Sequence, residues 1–69
     1  MKRYLVIDPP EGWLYGFPKR FREMEEGETL STRKDTLEET HKFLVENGYP
    51  KEKLESWVGF IRFWIDEVE

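Results

Sequence analysis

The sequence has no cysteine and a single histidine, His41. Without thiols the chain cannot form disulfide bonds, and a structural zinc site normally draws its four ligands from Cys and His. We therefore expect no metal and no cofactor. The carboxylate pairs lie in charge-rich stretches where nothing separates their pKa values, and no residue pattern resembles an activated nucleophile. We predict that the protein is not an enzyme.

Long apolar runs are also missing. The longest run, Tyr4–Ile7, has four residues, whereas a helix that crosses a bilayer needs about 20. No hydrophobic stretch of signal-peptide length follows Lys2-Arg3. The net charge of −4, with 38% charged residues, favours solubility and argues against a general binder of nucleic acid or anionic membranes. We expect a soluble, cytoplasmic, acidic protein.

Aromatic residues, by contrast, are abundant. Five Phe, three Trp and three Tyr make up 16% of the 69 residues. A chain of this length buries only about 60% of the surface that it exposes when unfolded, so these rings must supply most of the core. We expect one domain, residues 1–69, and predict that it gains further support by forming a homodimer.

The first half of the chain alternates between stiff and highly charged segments. Tyr4, Leu5, Val6 and Ile7 predict a short strand over Arg3–Ile7, which Pro9-Pro10 would end. Turn residues then lead into Trp13–Tyr15, which we interpret as a second short extended piece. Residues 19–35 are mostly charged, and we predict an irregular connection there because little in it can be buried.

The clearest element is a helix over residues 36–47. Asp35 or Thr36 can cap it, since each is followed three positions later by a glutamate. Gly48 can adopt the left-handed conformation that ends a helix, and Pro50 blocks its continuation.

The remaining segment can be interpreted in two ways. Its apolar residues fit one face of a helix, but aromatic and β-branched residues dominate from 58 to 65. We therefore predict a helical turn over Pro50–Ser56 and a strand over residues 58–66, with an all-helical tail as the alternative. The predicted fold class is α+β, in the order β-(β)-α-β. One helix would pack on a two- or three-stranded sheet in which the first and last strands are neighbours.

The predicted last strand has apolar residues on both faces. We expect Ile61, Phe63 and Ile65 to pack beneath the helix, against Leu37, Phe43 and Leu44. Val58, Phe60, Arg62 and Trp64 would then face the other way, where one helix cannot cover them. Because arginine and aromatic side chains dominate interface hot spots, we predict that the homodimer interface includes Phe60, Arg62 and Trp64.

The stiff segment near the start provides a second candidate surface. Residues 8–19, DPPEGWLYGFPK, combine three prolines, two glycines and three large aromatic residues, which suits a fixed shape that presents rings. We assign Trp13, Tyr15 and Phe17 to a protein-binding surface. Rings next to cations are also the components of single-strand nucleic-acid binding. In that alternative the neighbouring cations take part, namely Lys19, Arg20 and Arg22.

The PPEGW and YGFPK segments, the Asn47-Gly48-Tyr49-Pro50 helix end and the aromatic strand after it resemble small uncharacterised proteins of tailed bacteriophages and prophages. The likeness covers residues 4–19 and 43–64. It implies a phage accessory protein of the host cytoplasm, without catalytic residues, that binds a host protein. The leading hypothesis is thus a non-enzymatic protein-binding module that modulates or inhibits a host protein of unknown identity. The alternatives are a single-stranded nucleic-acid binder and a virion or assembly component.

Overall fold

The computed structural model describes residues 1–57 and 60–68, with only the backbone at Ser56 and Trp57. Three strands form one antiparallel sheet: β1 (Lys2–Asp8), β2 (Lys19–Glu23) and β3 (Arg62–Val68), in the order β2-β1-β3. Two helices, α1 (Leu37–Glu46) and α2 (Lys51–Trp57), lie between β2 and β3 in sequence. The α+β class is confirmed, and the first and last strands are neighbours as predicted.

Strand β1 is the centre of the sheet. Leu5, Val6 and Ile7 are all buried, because the strand has a neighbour on each side and apolar residues on both faces. Its end at Asp8 follows from Pro9, which has no N–H for the ladder.

The predicted extended piece over Trp13–Tyr15 is wrong. Gly12–Tyr15 form one turn of 3-10 helix, entered through Glu11 at φ 59° and left through Gly16 at φ 92°. The Gly12 N–H donates to Pro9 O, and the Phe17 N–H donates to Gly12 O. A side chain at Gly12 would meet Phe17 Cβ at 2.8 Å. Two left-handed residues therefore close the chain into a tight turn that cannot pair as a strand.

The missing strand lies instead in the segment predicted to be irregular. Residues 19–23 form β2, while residues 24–36 contain no helix or strand. In the pairing with β1, Arg22 lies opposite Leu5 and Arg20 lies opposite Val6, which leaves Phe21 as the extra residue of a β-bulge. Phe21 packs edge-on against Phe43 of α1, with ring centroids 5.0 Å apart. Ladder hydrogen bonds and this contact outweigh the high charge of the strand.

Helix α1 confirms the predicted helix, and Thr36 is its cap. The Thr36 hydroxyl oxygen accepts from the Glu39 N–H at 3.1 Å. At the other end Gly48 has φ 97°, and the Tyr49 N–H donates to Leu44 O at 2.9 Å. This turn directs Tyr49 into the core, where it is 2% exposed.

The tail follows the predicted helical turn and strand, and the all-helical alternative is wrong. α2 extends over Lys51–Trp57 and β3 over Arg62–Val68, whereas the strand was predicted over 58–66. The first two of those predicted residues, 58 and 59, lie outside the described residues. β3 pairs with β1 from Asp8↔Arg62 to Lys2↔Val68. Its start at Arg62 matches the end of β1, because the ladder cannot continue past Pro9.

The core forms between the sheet and the two helices. Its buried residues are Ile7, Phe17, Leu44, Tyr49 and Leu54, with Tyr15, Phe21, Phe43, Ile61 and Phe63 packed against them. Ile61 and Phe63 pack against the buried cluster that contains Leu44, as predicted. Ile65, which was expected beside them, is half-buried. Leu37, which was expected in this layer, is 56% exposed in the first turn of α1. Within the part of the chain that the structure describes, no helix is both long and apolar enough to cross a bilayer.

Candidate protein-interaction surface

The sheet has one face beneath the helices and one face without a helix. Side chains alternate between the faces of a strand, and Ile7 and Phe63 lie opposite each other in the core. Their neighbours in sequence therefore point away from the helices. We call this second side the open face. It includes Tyr4, Val6, Asp8, Arg20, Arg62, Trp64 and Asp66.

Charged side chains cross the open face in pairs. The Arg20 guanidinium donates to one Asp66 oxygen from Nε at 3.1 Å and from Nη2 at 2.9 Å, reaching from β2 to β3 across β1. It also lies 4.6 Å from the centroid of the Tyr4 ring. The stem of such an arginine shields apolar surface, and Val6 is only 6% exposed. Much of the apolar surface of this face is thus covered within one copy of the chain.

The end of the open face that includes the start of β3 combines a cation with an exposed aromatic ring. Arg62 donates to the Asp8 carboxylate across the β1–β3 ladder, and its side chain is 75% exposed. Trp64, two residues along on the same face, is 38% exposed, and Phe60 is 64% exposed. The structure therefore places Arg62 and Trp64 side by side.

The predicted surface at residues 13–17 divides into exposed and buried side chains. Trp13 is 75% exposed and its neighbour Leu14 is 51% exposed, whereas Phe17 is 4% exposed and belongs to the core. The Tyr15 ring is half-buried and lies edge-on to Tyr49, with centroids 5.5 Å apart. Trp13 remains available to a partner, and Phe17 does not.

The base of this turn is tied to the end of α1 and to α2. The Tyr49 hydroxyl donates to Pro10 O at 2.8 Å, and Lys53 donates to the Glu11 carboxylate at 2.9 Å. Burial raises the pKa of Tyr49, and the bond to Glu11 raises the pKa of Lys53. Trp13 and Leu14 therefore project from a braced turn.

The three cations of the nucleic-acid alternative lie on β2, and two of them are engaged by carboxylates. Arg20 is paired with Asp66. Arg22 donates to both oxygens of Glu28, at 2.9 and 2.5 Å, and to both oxygens of Asp35, at 2.7 Å each. Lys19, the third, is half-buried. Phosphate would have to compete with these carboxylates.

We call Arg22, Glu28 and Asp35 the Arg22 cluster. The hydrogen bonds within the cluster lower the pKa of Glu28 to about 2 and also lower the pKa of Asp35. The same bonds raise the pKa of Arg22. Arg3 adds to the cluster by donating to the backbone oxygens of Glu25 and Glu28. Charged groups therefore tie the segment between β2 and α1 to the sheet. Sequence reasoning missed the cluster because partners six and thirteen residues apart follow no helix or strand period.

A second apolar surface, also missed, lies along the two helices. Leu37, His41 and Val45 repeat every four residues along α1 and, with Leu54 of α2, line a groove of about 1050 Å³. The His41 Nε2 atom is buried and has no hydrogen-bond partner among the described residues. In the same part of the chain, no group of three or more His, Asp or Glu residues is placed to hold a metal ion.

Comparison of the chain with protein-family models, with curated proteins and with solved structures finds no match. The side chains and their placement therefore carry the functional argument.

Proposed function

We propose that the protein is a non-enzymatic protein-binding module, and that it acts as a phage accessory protein by occupying the surface of a host protein. The observation that carries this proposal is the pair Trp13 and Leu14, two large apolar side chains that are adjacent and both more than half exposed. The resemblance of residues 4–19 and 43–64 to small tailed-phage proteins supports the phage origin.

The rigidity of the turn strengthens the case for binding. A tryptophan is the kind of residue that anchors protein interfaces, and an anchor that is already ordered loses little entropy when it binds. Trp13 lies within the 3-10 helix, whose flanks are held by the Phe17 N–H bond to Gly12 O and the Tyr49 bond to Pro10 O. A host protein with an apolar pocket the size of an indole ring fits this surface.

Single-strand nucleic-acid binding is less well supported. The stacking platform would lose Phe17 to the core, and Arg20 and Arg22 already have carboxylate partners. The net charge of −4 opposes a polyanion as well. A virion or assembly role makes a separate prediction, namely that the protein is found in purified particles.

The test compares two exposed apolar positions. Trp13→Ser removes the anchor, and Leu30→Ser removes a side chain that is 42% exposed in the segment between β2 and α1. Each variant and the unmodified protein are used to capture partners from a nuclease-treated bacterial lysate. We expect one host protein to bind the unmodified protein and the Leu30 variant, and to be lost with Trp13→Ser. Equal capture by all three, or recovery of nucleic acid alone from an untreated lysate, would overturn the proposal.

A second copy of the chain is the other partner that we propose. The predicted contact is at Phe60, Arg62 and Trp64, just before and within the start of β3. Substitutions at Trp13 test host binding, and substitutions at Trp64 test self-association.

A further inference from the structure

β3 is a regular edge strand of the sheet. It extends over seven residues with no shift in its pairing to β1, and no strand lies beyond it in the sheet. Among the described residues no backbone hydrogen bond from outside the sheet reaches β3. A regular edge with unpaired N–H and C=O groups is a template for another strand.

We infer that two copies of the chain join their sheets edge to edge, through antiparallel pairing of β3 with β3 of the second copy. A twofold axis through the ladder at Trp64 places this residue opposite its own copy. Six strands would then form one continuous sheet. This deepens the proposed second-copy partner: it rests on self-association being part of the function, and it replaces contact between two open faces by contact between two edges.

The side chains of β3 match each other in this register. Arg62 lies opposite Asp66 of the second copy, twice by symmetry, so that each arginine meets a carboxylate. On the helix side, Phe63 lies opposite Ile65 of the second copy and extends the apolar layer. Opposite charges and apolar pairs at directly opposed positions are the contacts that stabilise a sheet.

Neighbouring registers fit less well. A twofold pairing must shift in steps of two residues to keep each side chain on its own face. One step in one direction sets Phe63 opposite Glu67 and Trp64 opposite Asp66. One step in the other direction leaves only residues 62–64 of each strand in the ladder. The register centred on Trp64 is therefore the one in which both faces are matched.

The ion pairs already present continue across the proposed junction. Asp66 accepts from Arg20 of its own chain, and Arg62 donates to Asp8 of its own chain. Pairing of the edges would set Arg62 of one copy beside Asp66 of the other. The row would then run Arg20, Asp66, Arg62, Asp8 across both copies, with positive and negative charges alternating.

The other edge of the sheet does not offer such a match. β2 has five residues, three of which are cations, and the bulge at Phe21 interrupts its alternation. Two such edges would bring like charges together and could not keep a regular register. Short, charged and bulged edges are those that resist pairing.

The decisive test uses two charge-reversal variants that should each be monomeric and should pair only with each other. Arg62→Asp sets aspartate opposite Asp66 of an identical copy, and Asp66→Arg sets arginine opposite Arg62. In an equimolar mixture, the two reversed residues face each other with opposite charges, and the unchanged Asp66 of one variant faces the unchanged Arg62 of the other. We expect light scattering to show dimers of the unmodified protein at high micromolar concentration, and self-association at least about tenfold weaker in each variant alone. We expect the dimer to return in the mixture. Lys19→Asp, which makes the same change in net charge as Arg62→Asp but on β2, should remain dimeric.

A thiol test reports the register without depending on the charge pairs. The chain has no cysteine, so one introduced thiol is unique. Trp64→Cys places two thiols on directly opposed residues, whose Cα atoms lie about 4.5–5.5 Å apart, within disulfide range. Arg62→Cys places identical thiols four residues out of step, about 14 Å apart. We expect mild oxidation to cross-link the first variant and not the second.

Three outcomes overturn the inference: a monomeric unmodified protein at high micromolar concentration, dimerisation of both charge variants on their own, or equal cross-linking at positions 62 and 64. None of them touches host binding through Trp13. A monomer that still captures a host protein through Trp13 would disprove the edge pairing and leave the proposed function intact. A dimer that captures no host protein would disprove the proposed host binding and leave the edge pairing intact.

Discussion

The two edge strands of the sheet, β2 and β3, differ in length, regularity and charge. Both β2 and β3 lie beside the buried strand β1 and present an outer edge. β2 is short, bulged and cationic. Its Arg20 pairs with Asp66, and its Arg22 pairs with Glu28 and Asp35. β3 is longer, regular and partly aromatic. One edge is held by ion pairs within the chain, and the other is the edge at which we propose that a second copy pairs.

The difference shows that an arginine on a strand can have opposite roles. Arg22 has a side chain that is 29% exposed, and its partner Asp35 is 5% exposed. Arg62 is 75% exposed, although the side chain of its partner Asp8 is 13% exposed. Because charge pairs strengthen as water is excluded, Arg22 should stabilise the fold, whereas Arg62 remains able to exchange partners.

The largest expected effect comes from breaking the β2 side. Arg22→Met keeps a long apolar stem but leaves the Asp35 carboxylate buried without its main partner. Removing one member of a fully buried pair costs about 3–5 kcal/mol. Since Arg22 is partly exposed, we expect a loss of about 2 kcal/mol in the free energy of unfolding, measured by urea denaturation. A loss below about 0.5 kcal/mol would mean that the Arg22 cluster is a surface feature without structural weight.

The second prediction concerns pH and the same cluster. The pKa of Glu28 in the folded protein is about 2, against an ordinary value of 4.5. Its contribution to stability is therefore complete above about pH 4.5 and is lost as the pH falls towards 2. We expect the stability of the unmodified protein to decline across this window, and the decline to be shallower in Arg22→Met because the bonds to Arg22 are the main cause of the shift. Urea denaturation at a series of pH values measures both slopes, and identical slopes would contradict the prediction.

The third prediction moves to β3. Trp64→Glu places two carboxylates against each other on the proposed twofold axis, while the helix side of the sheet is unchanged. We expect light scattering to report a monomer and circular dichroism to report a folded chain, with self-association at least about tenfold weaker. Leu30→Glu, at an exposed position away from the sheet, should remain dimeric. An unfolded Trp64→Glu variant would instead mean that this ring supports the fold of a single copy.

The elements that were predicted from the sequence are those whose causes are local. Pro9 ends β1, Thr36 caps α1, and Gly48 ends it at φ 97°. In each case the residue responsible lies within a few positions of the boundary that it sets. The placement of Arg62 and Trp64 on one face likewise needed only the two-residue period of a strand.

The elements that were missed have distant causes. β2 has few apolar residues, and it forms because β1 supplies a ladder and because Arg22 finds carboxylates six and thirteen residues further along the chain. The turn at Gly12–Tyr15 depends on Glu11, which adopts a left-handed conformation that its residue type disfavours. The secondary-structure propensities of neighbouring residues do not predict such long-range compensation. Phe17 is buried because it contacts Tyr49, which is distant in sequence. The sequence around Trp13 and Phe17 therefore could not show that Phe17 is buried while Trp13 is exposed.

The smallest expected effect tests the exposed arginine directly. Arg62→Met removes the ion pair with Asp8 but, unlike the pair of Arg22, this one lies in water on the arginine side. Exposed ion pairs typically contribute about 0.2–1 kcal/mol, and we expect a loss below about 0.5 kcal/mol for unfolding of the dilute monomer. In the same urea denaturation, the loss in the free energy of unfolding should then be several-fold larger for Arg22→Met than for Arg62→Met. Equal losses in the two variants would show that Arg62 is bound into the fold as firmly as Arg22. We would then have to abandon the idea that Arg62 is able to exchange partners. The charge match on which the pairing of two copies depends would be abandoned with it.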